Sequence, residues 1–140
     1  MQQRRRQRAP WRPVILDSGA VIAWSRGATR VRAFILNAVA NRATVIIPAI
    51  VVTETYRGRP ADVPIDRLLS DALVPPADIE LARAAGRLLA ASGGSNAADA
   101  QVVAEALDRV PCAILTGDPD DIRLLVAGRA GVHMLDINRL

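Results

Sequence analysis

Short runs rich in β-branched residues alternate along the chain with longer stretches in which apolar residues recur every three or four positions. That alternation is the pattern of βα units built around a parallel sheet. The runs VILD (14–17), TVIIP (44–48), ALVP (72–75), CAILT (112–116) and VHMLD (132–136) predict about five strands. Between the first two, residues 29–41 place Val31, Phe34, Ile35 and Ala38 on one helical face. A short helix is expected through IVVTETY, opened by Pro48, which suits a first helical turn. Further helices are expected near 65–70, 78–91, 96–109 and 119–127, separated by a Gly- and Pro-rich connection from Arg57 to Pro64 and by SGGS at 92–95. No internal repeat interrupts the series.

Length and composition narrow the class. A chain of 140 residues is one domain, with room for a single core. The longest aliphatic run, VIIPAIVV at 45–52, is far shorter than the roughly 20 apolar residues of a membrane span, so a soluble protein without membrane association is expected. Asp17 interrupts the only stretch that resembles a secretory leader, and the lone Cys112 excludes an intramolecular disulfide. The expected compartment is the cytoplasm. The net charge of +4 is unevenly spread: residues 1–12 carry five Arg and no acid, whereas residues 13–140 hold 13 Arg against 14 acids. Residues 1–12 are therefore expected to form a disordered basic tail, and residues 13–140 the folded domain. The chain contains no Lys. That removes P-loop chemistry and the lysine of receiver domains.

The candidate chemistry lies in carboxylates. Asp118 follows CAILT and precedes Pro119, Asp120 and Asp121, a natural helix N-terminus by itself. Asp17 likewise ends the first strand, either as a cap for a helix starting at Ser18 or as a partner of Asp118, because ligands of open parallel sheets bind beyond the carboxyl ends of the strands. Glu54 shares a helix side with Ile50 and Val51 and is expected to face inward. Asp99 precedes the apolar stripe Val102, Val103, Ala106 and Val110 on the same face, while Gln101, Glu105, Asp108 and Arg109 take the opposite, solvated face. If the four acids converge, each pair at about 5 Å costs roughly 3 kcal/mol at an effective dielectric of about 20. The total, on the order of 10 kcal/mol, rivals the stability of a whole domain. Protons or buried arginine offset part of such repulsion, and an all-carboxylate set suits Mg²⁺ or Mn²⁺ better than zinc. A cation of that kind supports attack of water on a phosphodiester.

The segments VILDSGAVIAW, VVTET, AADAQVVAEAL and ILTGDPDDIRLL, followed by VHMLD, resemble in order and spacing a PIN domain, most closely the VapC type of toxin ribonuclease. The resemblance spans residues 14 to about 137. It implies a three-layer α/β/α fold with a central parallel sheet, and a Mg²⁺- or Mn²⁺-dependent endoribonuclease site that cleaves RNA. It carries the metal-holding catalytic acids onto Asp17, Glu54, Asp99 and Asp118, and auxiliary roles onto Asp121 and Thr116. It also implies a homodimer and a small antitoxin protein as partner. A degenerate PIN domain that binds RNA or protein without cutting, and a housekeeping RNA-processing nuclease, are the alternatives of the same fold.

Other residues carry less. His133, between Val132 and Met134, reads as structural. Trp24 and Tyr56 read first as packing residues, with base stacking as the alternative. Arg26, Arg30, Arg32, Arg57 and Arg59 are candidate phosphate contacts among which the sequence does not choose.

Overall fold

The computed structural model describes residues 13–140; the tail expectation falls on residues 1–12, outside the described residues. Four parallel strands form one sheet in the order β2-β1-β3-β4: β1 is Val14–Leu16, β2 Val45–Ile46, β3 Cys112–Thr116 and β4 Val132–Asp136. In register, Ile15 lies beside Ile46 on one side and Ile114 on the other, and Thr116 lies beside Asp136. β1 and β3 are wholly buried, as central strands covered on both faces must be.

Among the described residues seven α-helices surround the sheet: α1 Ser18–Ser25, α2 Thr29–Ala40, α3 Ala49–Thr55, α4 Val63–Asp71, α5 Ile79–Ser92, α6 Ala97–Leu107 and α7 Pro119–Val126. The β1–β2 connection runs in the opposite direction across the sheet to the β2–β3 and β3–β4 connections. Right-handed crossovers therefore set α1 and α2 on one face, and α6 and α7 on the other. α5 packs over α6 and α7, and α3 contacts both α1 and α6. The result is the expected three-layer arrangement.

Two expectations are corrected. Four strands form rather than about five, because ALVP supplies a single bridge: Leu73 exchanges backbone hydrogen bonds with Val45 (2.8 Å) and Ile47 (2.9 Å). Pro75 and Pro76 follow at once, and proline has no N–H with which to continue a ladder. Similarly, Pro48 closes β2 after two residues. Glu105, expected on a solvated face, is only 4% exposed. α6 is covered by the sheet on one side and by α5 on the other, so it has little free face. Glu105 is matched by Arg109, whose Nη1 donates both to the Glu105 carboxylate and to its carbonyl oxygen.

Arg109→Ala is therefore expected to destabilise the domain by about 2–4 kcal/mol, since it leaves a buried carboxylate unpaired; a denaturant melt reads the loss. Glu105→Gln/Arg109→Ala should recover part of it, because no buried charge then remains.

Candidate active site at the carboxyl edge of the sheet

Asp17 follows β1 directly, Thr116 ends β3, and Asp118 lies just beyond. Because β1 connects to β2 on one side and lies against β3 on the other, the β1–β3 boundary is where the connections diverge. Such a boundary leaves a crevice beyond the strand ends.

The two turns meet there backbone to backbone. A Cβ built on Gly19 would stand 3.1 Å from the Gly117 nitrogen and 3.3 Å from its Cα, so a side chain there would force the facing backbone to give way by a few tenths of an ångström. Glycine at position 19 lets the turns that carry Asp17 and Asp118 approach closely, whereas a Cβ at Gly117 would press on the Ile137 side chain, 3.2 Å away. Neither glycine is assigned a role from sequence alone, although Gly19 lies within VILDSGAVIAW and Gly117 within ILTGDPDDIRLL.

Asp17 is 4% exposed, and both its oxygens are held. Oδ1 accepts from the Ser18 N–H at 2.7 Å, and Oδ2 accepts from the Thr116 hydroxyl at 2.8 Å. The same hydroxyl oxygen accepts the Asp118 N–H at 3.0 Å. One buried threonine thus ties the first acid to the backbone of the last. Asp17 caps α1 while lining the site, so its two readings coincide. Asp118 occupies the N-cap position of α7, yet its side chain makes no capping hydrogen bond. Helix capping does not account for that carboxylate.

Asp99 sits half-buried in the first turn of α6, placed by the Asn96 side chain, which accepts the Asp99 N–H at 3.0 Å. Glu54 corrects the expectation of an inward side chain: it is exposed. α3 is seven residues long and buries only Val51 and Thr55, which leaves Glu54 at the rim of that stripe. It still reaches the others electrically. Partial burial and then the Asp17 charge raise its carboxyl above the usual range.

Convergence is clearest at Asp99. Burial first, then the charges of Asp17, Asp121, Asp118 and Glu54, push its pKa up to about 6. A hydrogen bond shared with Asp121 heads the causes that raise Asp118, with the charges of Asp121, Asp120 and Asp17 adding to it. All four sequence-assigned acids, together with Asp121, lie in one field. None of the five has an ion-pair partner among the described residues, whereas Asp120, Glu105, Asp62, Glu80 and Asp136 each pair with an arginine. Asp136 also stands at a strand end, but its carboxylate accepts the Asn138 N–H (2.9 Å) and takes no part in raising Asp99.

A cleft of about 190 Å³ is lined by Asn96, Asp99, Asp121 and Leu125 among others, and a separate groove of about 220 Å³ has Glu54 in its lining. The donor set is carboxylate oxygen with one hydroxyl, which fits a hard divalent cation and gives soft metals no ligand. Among the described residues, no three Asp, Glu, His or Cys side chains stand in closed metal-coordinating geometry. Cys112 lies within the core, donating to the Ala106 carbonyl at 3.2 Å, with its thiol pushed up to about 11 by burial. His133 is exposed on the edge strand β4, beside Ala113 and short of the sheet's carboxyl edge. Trp24 is a packing residue: its indole N–H donates to the Pro64 carbonyl (2.9 Å), and Arg32 lies over its ring.

No protein-family model and no curated protein matches the chain in sequence. Solved structures do match in shape. The fold is PIN-like. A chain of DNA-bound VapBC from Salmonella typhimurium superposes with a TM-score of 0.67 at 15% identity, covering 89% of this chain and 98% of that one. A chain of VapBC2 from Rickettsia felis, bound to a promoter DNA fragment, gives 0.67 at 12% identity, covering 88% and 97%. A chain of FitAB bound to an IR36 DNA fragment gives 0.61 at 19%, covering 88% and 94%. At these identities the likeness establishes a shared architecture over nearly the whole of the chains compared.

Thr116→Val keeps the shape and removes the hydroxyl. It should cost about 1–3 kcal/mol, because the Asp118 N–H and one Asp17 oxygen each lose a buried partner; thermal unfolding of native and variant protein reads this. In the metal-free protein the Asp99 carboxyl should titrate near pH 6, followed by carboxyl carbon NMR, and Asp17→Asn should lower that midpoint. A folded pKa above the unfolded 3.8 contributes stability that is complete below 3.8 and is lost as pH rises through about 6. Metal-free protein should therefore be less stable at pH 7 than at pH 5, and Asp99→Asn should flatten that dependence.

Proposed function

We propose that this protein is a Mg²⁺- or Mn²⁺-dependent endoribonuclease, acting as the toxin of a VapBC-type pair in which a small antitoxin restrains it. The observation that carries the reading is the gathering of Asp17, Glu54, Asp99, Asp118 and Asp121 at one sheet edge without a basic partner. The fold-level likeness to chains of VapBC and FitAB supports the same class and an antitoxin partner. A homodimer and a cytoplasmic site of action belong to the same reading.

Asp17, Asp99, Asp118 and Glu54 would hold the cation, with Asp121 and Thr116 in support. When bound, the metal would activate a water and neutralise charge on the phosphate under attack. The chain's own groups set the conditions for that chemistry. Ser18 N–H and the Thr116 hydroxyl fix both Asp17 oxygens, so this carboxylate presents its remaining lone pairs in one orientation. Thr116 fixes the Asp118 backbone in the same way. Asp99 must lose its proton to serve as a ligand, so cation affinity should fall as pH drops below about 6. Hydrolysis needs no side-chain nucleophile here: water forms the new bond to phosphorus, and the ester oxygen leaves with a proton.

Asp17→Asn and Asp118→Asn are expected to remove RNA cleavage with the fold retained. The loss should exceed the roughly 10–100-fold that follows removal of a hydrogen-bond partner of a metal ligand, which is the range expected for Thr116→Val. Full cleavage by either asparagine variant, measured on single-stranded RNA with Mn²⁺, would contradict the assignment. Expression should arrest growth and co-expression of the cognate antitoxin should relieve it. Cleavage in vitro without arrest would point to a housekeeping nuclease instead.

A further inference from the structure

The acid cluster poses a problem for the substrate proposed above, because a polyanion must approach a site rich in negative charge. Five arginines were open candidates for the compensating contacts, and their surroundings separate them. Arg32 is engaged: Nε donates to the Trp24 carbonyl at 2.9 Å and the guanidinium lies 5.5 Å from the Trp24 ring centroid. Arg30 donates to the carbonyl of Leu140 at 3.1 Å. Arg26, Arg57 and Arg59 instead line one groove of about 220 Å³, and Glu54 of the acid cluster lines the same groove.

The three cations stand in different states. Arg26 is exposed and makes no side-chain hydrogen bond or ion pair among the described residues. Arg57 Nη1 donates to the Thr53 and Tyr56 carbonyls, both at 2.9 Å, which steadies the guanidinium at the end of α3 without neutralising it. Arg59 lies 3.5 Å from Asp62, the groove's second acid. Asp62 is largely satisfied from the backbone, accepting the Arg57 N–H at 2.7 Å and the Arg59 N–H at 3.2 Å. Buried Ile65 adds an apolar part to the lining.

We propose that this groove is the phosphate-binding subsite for the RNA strand on the Glu54 flank of the active site, with Arg26 and Arg59 contacting successive phosphates and Arg57 the fixed charge between them. The inference rests on the ribonuclease reading and adds the direction of approach: the strand enters along α1 and the segment after α3, passes Glu54, and reaches the Asp17–Asp118 edge. Phosphate contacts of this kind position a strand without reading its sequence. They therefore set affinity and register, and leave the choice of cleavage motif to other groups.

The test is equilibrium binding of a fluorescent single-stranded RNA 12-mer to the full chain in EDTA, as a function of salt. Arg26→Ala disturbs no intramolecular bond, so it isolates the contact; Arg26→Ala/Arg59→Ala removes two. Each lost phosphate contact should reduce the steepness of log Kobs against log salt by about 0.7, with affinity falling several-fold per substitution at about 0.1 M salt. Arg87→Ala, at an exposed position of α5 outside the groove, should bind as the native chain does. The five arginines of residues 1–12 contribute equally to every variant and cancel from the comparison. Native affinity and native slope in Arg26→Ala/Arg59→Ala would overturn the subsite, as would a native chain that does not bind RNA. Weakened binding by these variants in a protein that never cleaves RNA would keep the groove and refute the nuclease reading. Cleavage with unaltered variant binding would do the reverse.

Discussion

Mutual repulsion among carboxylates with no internal counter-ion is the constraint around which this domain is arranged. Asp17, Glu54, Asp99, Asp118 and Asp121 come from four different segments, and burial together with the charges of the other four pushes the Asp99 pKa up to about 6. Folding brings them together against that repulsion. Burial of two central strands whose residues include Ile15, Leu16, Ile114 and Leu115, all essentially unexposed, opposes that cost, and the absence of a side chain on Gly19 leaves room for the turns that follow those strands to lie close together. Glu105, Asp62 and Asp136, outside the cluster, each gain an arginine.

The hydrogen bonds inside the site fix position without cancelling charge. Thr116 is neutral, and its one hydroxyl serves Asp17 as donor and Asp118 as acceptor. Ser18 contributes only a backbone N–H. A site meant merely to cap helices would use the Asp118 carboxylate for α7, and it does not. A site meant to be a closed ion-pair network would draw in Arg26 or Arg57, which stay in the neighbouring groove. Orientation with unspent charge is the arrangement expected of groups awaiting a cationic ligand.

Much of this was legible in the sequence, for reasons that also explain what was not. Asp17 and Asp118 follow apolar β runs, and in a parallel sheet all strand ends of one kind fall on one edge. Asp99 was placed by helical period, which holds over the eleven residues of α6. The inward expectation for Glu54 failed because α3 is short and its buried stripe is only Val51 and Thr55. Glu105 failed because the period of one helix does not reveal a second helix packed on its far side. The fifth strand is cut to one bridge by Pro75 and Pro76, which carry no N–H to extend the ladder that the apolar run before them begins. The Gly19–Gly117 contact joins residues from distant segments, and only the tertiary structure shows it.

The central proposal is that Asp17, Glu54, Asp99 and Asp118, with Asp121 in support, form one cation site. Calorimetric titration of the metal-free, full-length protein with Mn²⁺ or Mg²⁺, beside Asp99→Asn, tests it most directly. The account requires saturable binding in the native chain, with proton release near pH 6, and its loss in the variant. A native protein that takes up neither ion, or an Asp99→Asn variant that binds as well as the native one, would contradict it.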